Sequence, residues 1–413
     1  MVHIKKEYFL PIYWSLLILT TYMGLGEVFL LLVTIPVGLY ILKKHSYSMK
    51  WKTNNYAIYF VGYYIISSIF GVVLGNLDVK NFAELIIKYI FIPTTIYYLI
   101  PTRNAENINM LKLFKNIIFC SIIYGLIESL IKYNFIFNII SSDLTSLSLN
   151  TGNSRFYQPS SFFLHYNYYG CVLILGLIID IFIPYSNIII NLIFKTLLVE
   201  QIFMCQSRIS WIATCVILIV RILFYWKLTY TSIKLAMFCV LSTAFIIIFD
   251  TSIFTTISNF IVDRFSRLWI YGFADGSFGQ RVGTLINWLT YFKNNIIEGC
   301  LGTGYHSASG KFLEQYSYFA GFSTVDCQLT VYLVETGILG VLILTLAIIK
   351  IFREKIEEST DAKIINYIAR IGIIGYLCES LTLDIASNNI IIFLIMMMFV
   401  MTRNNNLKKR RNL

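Results

Sequence analysis

The chain has 413 residues, of which 57% are hydrophobic and 13% charged, with a mean hydropathy of +0.70; soluble domains carry roughly 25% charged residues. These values exclude a soluble nucleotide-binding enzyme, a secreted disulfide scaffold and a disordered tail protein, and they indicate an all-α polytopic membrane protein. The net charge of +11 follows membrane orientation rather than a nucleic-acid partner. With both termini in the cytoplasm, most Lys and Arg fall in short inside loops and in the tail from Arg403 to Arg411.

A helical crossing needs about 20 apolar residues. About twelve apolar runs fit or approach that length: 9–23, 28–42, 56–75, 82–100, 113–131, 162–184, 188–204, 209–224, 233–249, 329–351, 364–381 and 390–401. The first two are separated only by Gly24-Leu25-Gly26-Glu27 and read as a tight hairpin. Three regions result: an N-terminal transmembrane region 1–249 of about nine helices, with an external loop near 132–161; a large external loop 250–327 with amphipathic helices; and a C-terminal region 328–413 of about three helices and a basic cytoplasmic tail. The eight cysteines show no C-x-x-C pair, so a metal or disulfide framework is not expected, although Cys300 and Cys327 share the external loop and their pairing is open.

Loops beyond about 15 residues are usually functional or disordered. In the second external loop, Val282, Leu285, Ile286, Leu289 and Phe292 recur at helical spacing, an amphipathic stripe suited to the membrane face or to other helices. The weaker pattern at 258–268 adds a shorter candidate. A glycine-bearing turn follows, Gly302-Thr303-Gly304-Tyr305-His306, of the kind that lets backbone approach a ligand. Within the spans, Glu84 with Lys88 and Glu128 with Lys132 are i,i+4 pairs that read as structural. Lys195 pairs with Glu200 or snorkels, and Arg370 is expected to meet an acid on a neighbouring helix.

The external arginines carry more chemistry. Arg155 precedes His165-Tyr166-Asn167, Arg208 lies in the short turn Gln206-Ser207-Arg208, and Arg281 opens the amphipathic loop helix. All three fall on one side of the bilayer in this topology. There guanidinium groups bind an anionic group bidentately, or anchor lipid phosphates one at a time.

Arg281, Trp288, Gly302-Thr303-Gly304, Asp326-Cys327-Gln328-Leu329 and Glu335-Thr336-Gly337-Ile338-Leu339-Gly340 together resemble the signature of the Wzy-type polysaccharide polymerase and O-antigen ligase superfamily. Ser207-Arg208 is similar to its Ser-Arg turn, and Arg155 with His165-Tyr166-Asn167 to its Arg…Pro-Asn segment, with Tyr166 where proline is usual. Asp326 stands where the ligase branch carries histidine, which fits the polymerase branch.

The resemblance implies a glycosyltransferase of the bacterial cytoplasmic membrane, with its large loop outside, that polymerises polyprenyl-diphosphate-linked oligosaccharide repeat units into surface polysaccharide. Arg208 and Arg281 would hold the diphosphate without metal or cofactor, and Asp326 would serve the attacking hydroxyl. Arg155, His165, Asn167, Gly302, Gly304, Tyr305 and His306 would contact substrate, with His306 the reserve proton acceptor. Glu335 reads as a residue that fixes helix packing. Membrane lipids and a chain-length regulator are the implied partners. Ligase-type transfer to another acceptor stays open, as does a lipid-linked oligosaccharide flippase, although the unusual polar groups gather outside rather than at the bilayer midplane.

Overall fold

The computed structural model describes residues 5–45, 55–73, 79–136, 157–163, 165–224, isolated positions between 259 and 266, and 270–402 apart from 322–323, 357–358 and 382. Among them the fold is all-helical, with no strand. Three helices are long and apolar enough to cross a membrane, at Tyr56–Val73, Lys80–Leu99 and Asn104–Ile131, and two shorter ones, Tyr166–Phe182 and Asn389–Met401, are apolar. The apolar run 233–249, the stretch 137–156 with Arg155, and most of 258–268 lie outside the described residues.

Where they are described, the apolar runs became helices. Phe9–Tyr22 ends at Gly24, whose φ of +70° turns the chain into the next helix. The Leu25 amide bonds Thr20 O at 2.8 Å, as the expected hairpin requires. Several helix starts are closed by a polar side chain that satisfies otherwise orphaned amides. Asn187 caps Ile188–Met204, Asn388 caps Asn389–Met401, and Ser359 caps Thr360–Ser380.

Tyr166–Phe182 is buried along most of its length and forms the middle of the bundle, packing on Asn104–Ile131, Ile188–Met204, Arg208–Phe224 and Thr360–Ser380. Gly337–Arg353 lies along Asn55–Val73, and Asn389–Met401 along Ile92–Leu99. Outward-facing Leu32, Val73, Leu130 and Ile188 leave an apolar exterior suited to lipid.

Three expectations are corrected. The run 329–351 is two helices, Gln328–Glu335 and Gly337–Arg353. They are split because Gly337 adopts φ +64° and packs where a Cβ would lie 2.2 Å from Cys300 O. Glu128 does not pair with Lys132, which leaves the helix in a left-handed conformation. Instead its buried carboxylate accepts from the Ser161 amide at 2.7 Å, the Ser160 amide at 3.1 Å and the Tyr157 hydroxyl at 2.9 Å, so it holds the far end of the first external loop. Lys195 meets Asp180 at 3.6 Å rather than Glu200, beside Lys115, which contacts the same carboxylate at 2.6 Å. Arg370 donates to the carbonyls of Phe352 at 3.2 Å and Glu354 at 2.5 Å, closing a helix end.

Cys300 and Cys327 are both free. The described part of 270–327 packs with helix Gln328–Glu335 around a small core of its own, built from Trp288, Tyr291, Phe312, Leu313, Val325 and Val331 among others. Along 276–294 the packed face is Gln280, Thr284, Trp288 and Tyr291, and the stripe residues Ile286 and Leu289 face outward, free to lie on the membrane.

Candidate functional site

Arg208 is the first residue of Arg208–Phe224, where the chain turns sharply after Ile188–Met204. Gln206 has φ +54° and is buried with Ser207, so this turn is fixed from below. Ser210, one residue beyond the first helical bond, donates to the buried Glu379 of the facing helix at 2.7 Å. The Arg208 side chain therefore leaves a helix start that is pinned on two sides. Its Nη2 lies 3.6 Å from Asp275 Oδ2, and its Nη1 is buried without a hydrogen-bond partner.

Asp275 also accepts from the Phe278 amide at 2.8 Å, capping the stretch 276–294 that carries Arg281. One carboxylate thus ties the two arginine-bearing elements together. Arg281 sits in the π-helical turn Gly279–Gly283, a bulge of a type frequent at functional sites. Its Nε donates to Asp326 O at 3.2 Å. Burial lowers the Arg281 guanidinium below its usual value, the Asp326 carboxylate opposes this, and Arg208 adds a like-charge push in the same direction as burial. Two guanidinium groups from distant stretches are therefore within electrostatic reach of each other.

Asp326 stands immediately before Cys327, the N-cap of Gln328–Glu335, in a left-handed conformation with φ +55°. Its Oδ1 accepts from Thr324 Oγ1 at 2.5 Å. His165 faces the same place from the start of Tyr166–Phe182. Its Nδ1 accepts from the Asn167 amide at 3.2 Å, so in the neutral ring the proton resides on Nε2. Burial lowers this imidazole to about 4, with Asp326 opposing and Arg281 reinforcing. A neutral ring with Nδ1 engaged can donate from Nε2 but has no nitrogen left to accept a proton. Asn167 is buried, and its amide supplies that cap.

The structure separates the glycine turn from this group. The Thr303 and Gly304 amides donate to Val334 O and Glu335 O, both at 3.0 Å, at the opposite end of Gln328–Glu335. Eight residues at 1.5 Å rise set those ends about 12 Å apart. Gly302 has φ +85°, and a Cβ there would lie 2.3 Å from Glu335 O, so the turn approaches the chain's own backbone. The buried Glu335 accepts from the Tyr64 hydroxyl and from the His306 amide at 2.6 Å, and Ser67 Oγ donates to Glu335 O at 2.6 Å. Tyr305 accepts from Lys88 at 2.9 Å and donates to Glu84 at 3.0 Å. The expected Glu84–Lys88 pair is present at 2.8 Å.

Two carboxylates that the sequence did not single out join these groups. Asp275 is described above. Asp384 lies in the loop before Asn389–Met401, where Lys88 donates to the carbonyls of Ala386 at 3.2 Å and Ser387 at 2.9 Å. Burial raises the Asp384 carboxyl, Lys88 and His306 oppose, and Asp326 raises it further. A lone acid in a loop carries no spacing signal, and only its caps and neighbours identify it. Among the described residues no group of three or more His, Cys, Asp or Glu side chains could hold a metal ion. Below the site, a crevice of about 550 Å³ opens between Asn55–Val73, Ile92–Leu99, Gly337–Arg353 and Asn389–Met401, lined almost wholly by apolar side chains from Ala57 and Ile65 to Phe399.

The region that brings Arg208, Arg281 and Asp326 together is also the region with a known counterpart. Residues 196–345 match the O-antigen ligase family model, Wzy_C. The match bears out the superfamily resemblance carried by the sequence motifs and takes in the Ser-Arg turn, Arg281, the glycine turn and Asp326. His165 and Asn167 lie outside it. A search of curated proteins found no match. The matched stretch is thus similar to a family of membrane glycosyltransferase-like enzymes that act on lipid-linked oligosaccharides, and the apolar helices agree with an integral membrane protein.

Proposed function

We propose that this chain is a repeat-unit polymerase of the bacterial cytoplasmic membrane, with about twelve crossings, cytoplasmic termini and the 250–327 loop outside. Its donor is a glycan joined through diphosphate to a polyprenol. The observation that carries the reading is the tie through Asp275, which meets Arg208 at 3.6 Å and caps the stretch carrying Arg281, whose Nε donates to Asp326 O, with a buried guanidinium nitrogen on Arg208 left without a partner.

Asp275 meets one edge of the Arg208 guanidinium and leaves its buried Nη1 without a partner, an arrangement suited to a further anion. A diphosphate supplies it, and its negative charge grows as the bond from the anomeric carbon to the phosphate oxygen breaks. Charge-assisted hydrogen bonds contribute about 1.5–3 kcal/mol each, and donors held ready for the leaving group stabilise the transition state more than the ground state. The acceptor hydroxyl of a second lipid-linked unit attacks in line, forming the new glycosidic bond and inverting the carbon. Asp326 orients that hydroxyl and takes its proton. His165, with Nε2 as its only available polar edge, donates to substrate or to Asp326. The apolar crevice below accommodates a polyprenyl tail. Arg155 remains a proposed third cation, and a chain-length regulator a proposed partner.

A second reading has support from the description of the matching family as O-antigen ligase, which moves a finished glycan to another acceptor. Asp326, standing where the ligase branch carries histidine, favours the polymerase. Purified protein in liposomes with its lipid-linked repeat unit separates the possibilities. A polymerase yields a ladder of lengthening products, and Arg281→Ala leaves single units, with the rate lowered about 100-fold or more. Transport of units across the bilayer without elongation by the wild-type chain would overturn the proposal.

A further inference from the structure

A second concavity, of about 160 Å³, lies on the external loop and has no part in the transfer described above. Tyr291, Asn295, Glu298, Lys311, Gln315 and Tyr316 are among the residues that line it. They come from three separate helices, Thr284–Asn294, Ile296–Leu301 and Lys311–Tyr316, and from the bend between the first two, so the fold has gathered them. Phe312, also in the lining, completes an aromatic group. Its ring stacks on Tyr316 at 5.5 Å and meets Tyr291 edge-on at 5.4 Å, and Tyr291 and Tyr316 are edge-on at 5.3 Å.

We propose that this pocket holds one pyranose ring of the glycan, remote from the bond being made. The proposal rests on the glycosyl-transfer reading and adds a subsite for its substrate. A sugar ring presents an apolar face of C–H groups and an equator of hydroxyls, each both donor and acceptor. The aromatic group offers a surface for the first. The rim offers the second a carboxylate that accepts, an ammonium that donates, and two side-chain amides that do both. Glu298 uses one oxygen on the Tyr291 hydroxyl, at 2.6 Å, which fixes the carboxylate without exhausting its acceptor capacity.

Size and charge narrow the ligand further. The volume is below the ~300 Å³ at which pockets for drug-sized ligands begin, which suits a single ring rather than a whole repeat unit. An acid on the rim disfavours phosphate. Position agrees with a distal sugar: Tyr291 lies ten residues beyond Arg281 on the stretch 276–294, about 15 Å at helical rise. A diphosphate held by Arg281 therefore leaves its first sugar at the reacting centre, while a later sugar of the same oligosaccharide reaches the pocket.

The test uses the full chain in detergent and, as probe, the phosphate-free repeat-unit oligosaccharide released by mild acid from the host's own lipid-linked pool. Ligand-observed NMR should detect binding to the wild-type protein. The double variant Glu298→Gln/Gln315→Leu should weaken it about tenfold, and Gln315→Leu alone, on an exposed helix face, about threefold. Arg281→Ala should bind the free sugar as the wild type does. Equal affinity in the wild type and the double variant, with unchanged thermal unfolding, would overturn the proposal, as would no binding by the wild type. A wild-type protein that binds the sugar through Glu298 and Gln315 but elongates nothing would sink the polymerase reading and leave the pocket standing.

Discussion

The two ends of Gln328–Glu335 differ in how completely their polar groups are satisfied. At the inner end Glu335, Tyr64, Ser67, Lys88, Glu84 and Tyr305 bond one another or nearby backbone. At the outer end two guanidinium groups face one another's charge, and Arg208 keeps a buried nitrogen without a partner. Both ends are rich in charged and polar residues. The difference teaches that a saturated network holds a fold together, whereas an unsaturated one is shaped for something that arrives later.

The sharpest break of that comparison is at Asp326. Asp326→Asn keeps the shape and removes the proton acceptor, so kcat should fall about 10²- to 10⁴-fold with little change in KM, as read from initial rates of elongation. The inner end should behave oppositely. Tyr64→Phe removes the hydroxyl that meets Glu335 and leaves a buried carboxylate short of a donor, at a cost of about 1–3 kcal/mol in stability. Thermal unfolding in detergent should move down while the rate per folded molecule holds.

Asp275 lies at the margin of the outer group, and Asp275→Asn should release Arg208 from its internal counter-charge. Diphosphate affinity should then rise at least about two- to fivefold, since exposed ion pairs contribute about 0.2–1 kcal/mol and this largely buried pair is screened less. A further effect is in pH. His165 is lowered from 6.5 to about 4 in the fold, so the unfolded chain binds the extra proton first. The stability it contributes is present above pH 6.5 and is lost as pH falls through that window toward 4. In His165→Asn this part of the acid dependence of unfolding should disappear.

Sequence and structure agree best where a side-chain type alone carries the physics. Long apolar runs, some capped by a polar residue such as Asn187 or Asn388, had few alternatives to helix. Arg208 and Arg281 stood out because guanidinium groups are chemically conspicuous in so apolar a chain, and the fold ties their elements together through Asp275. What escaped were choices of partner. Glu128 has a lysine four residues on, yet amides from a distant loop satisfy it better. Asp275 and Asp384 are ordinary loop acids until the helices that surround them are in place. The glycine turn was expected to open toward a ligand, and instead it closes on the backbone around Glu335, because flanking residues 302 and 337 occupy each other's side-chain space. Arg155 and the run 233–249 lie outside the described residues, and their expected roles stand as proposals.

The contact between Gly302 and Gly337 bears on how such proteins could be recombined. A Cβ on either residue would strike the backbone of the other's segment, so the segment ahead of Gln328 and the helix Gly337–Arg353 are interlocked by shape. A chimera that exchanges that segment for a relative's while keeping its own 328–340 would join two halves never fitted to each other. Crossovers placed beyond residue 340 carry the interlock intact, and substrate preference should then travel with the transplanted piece.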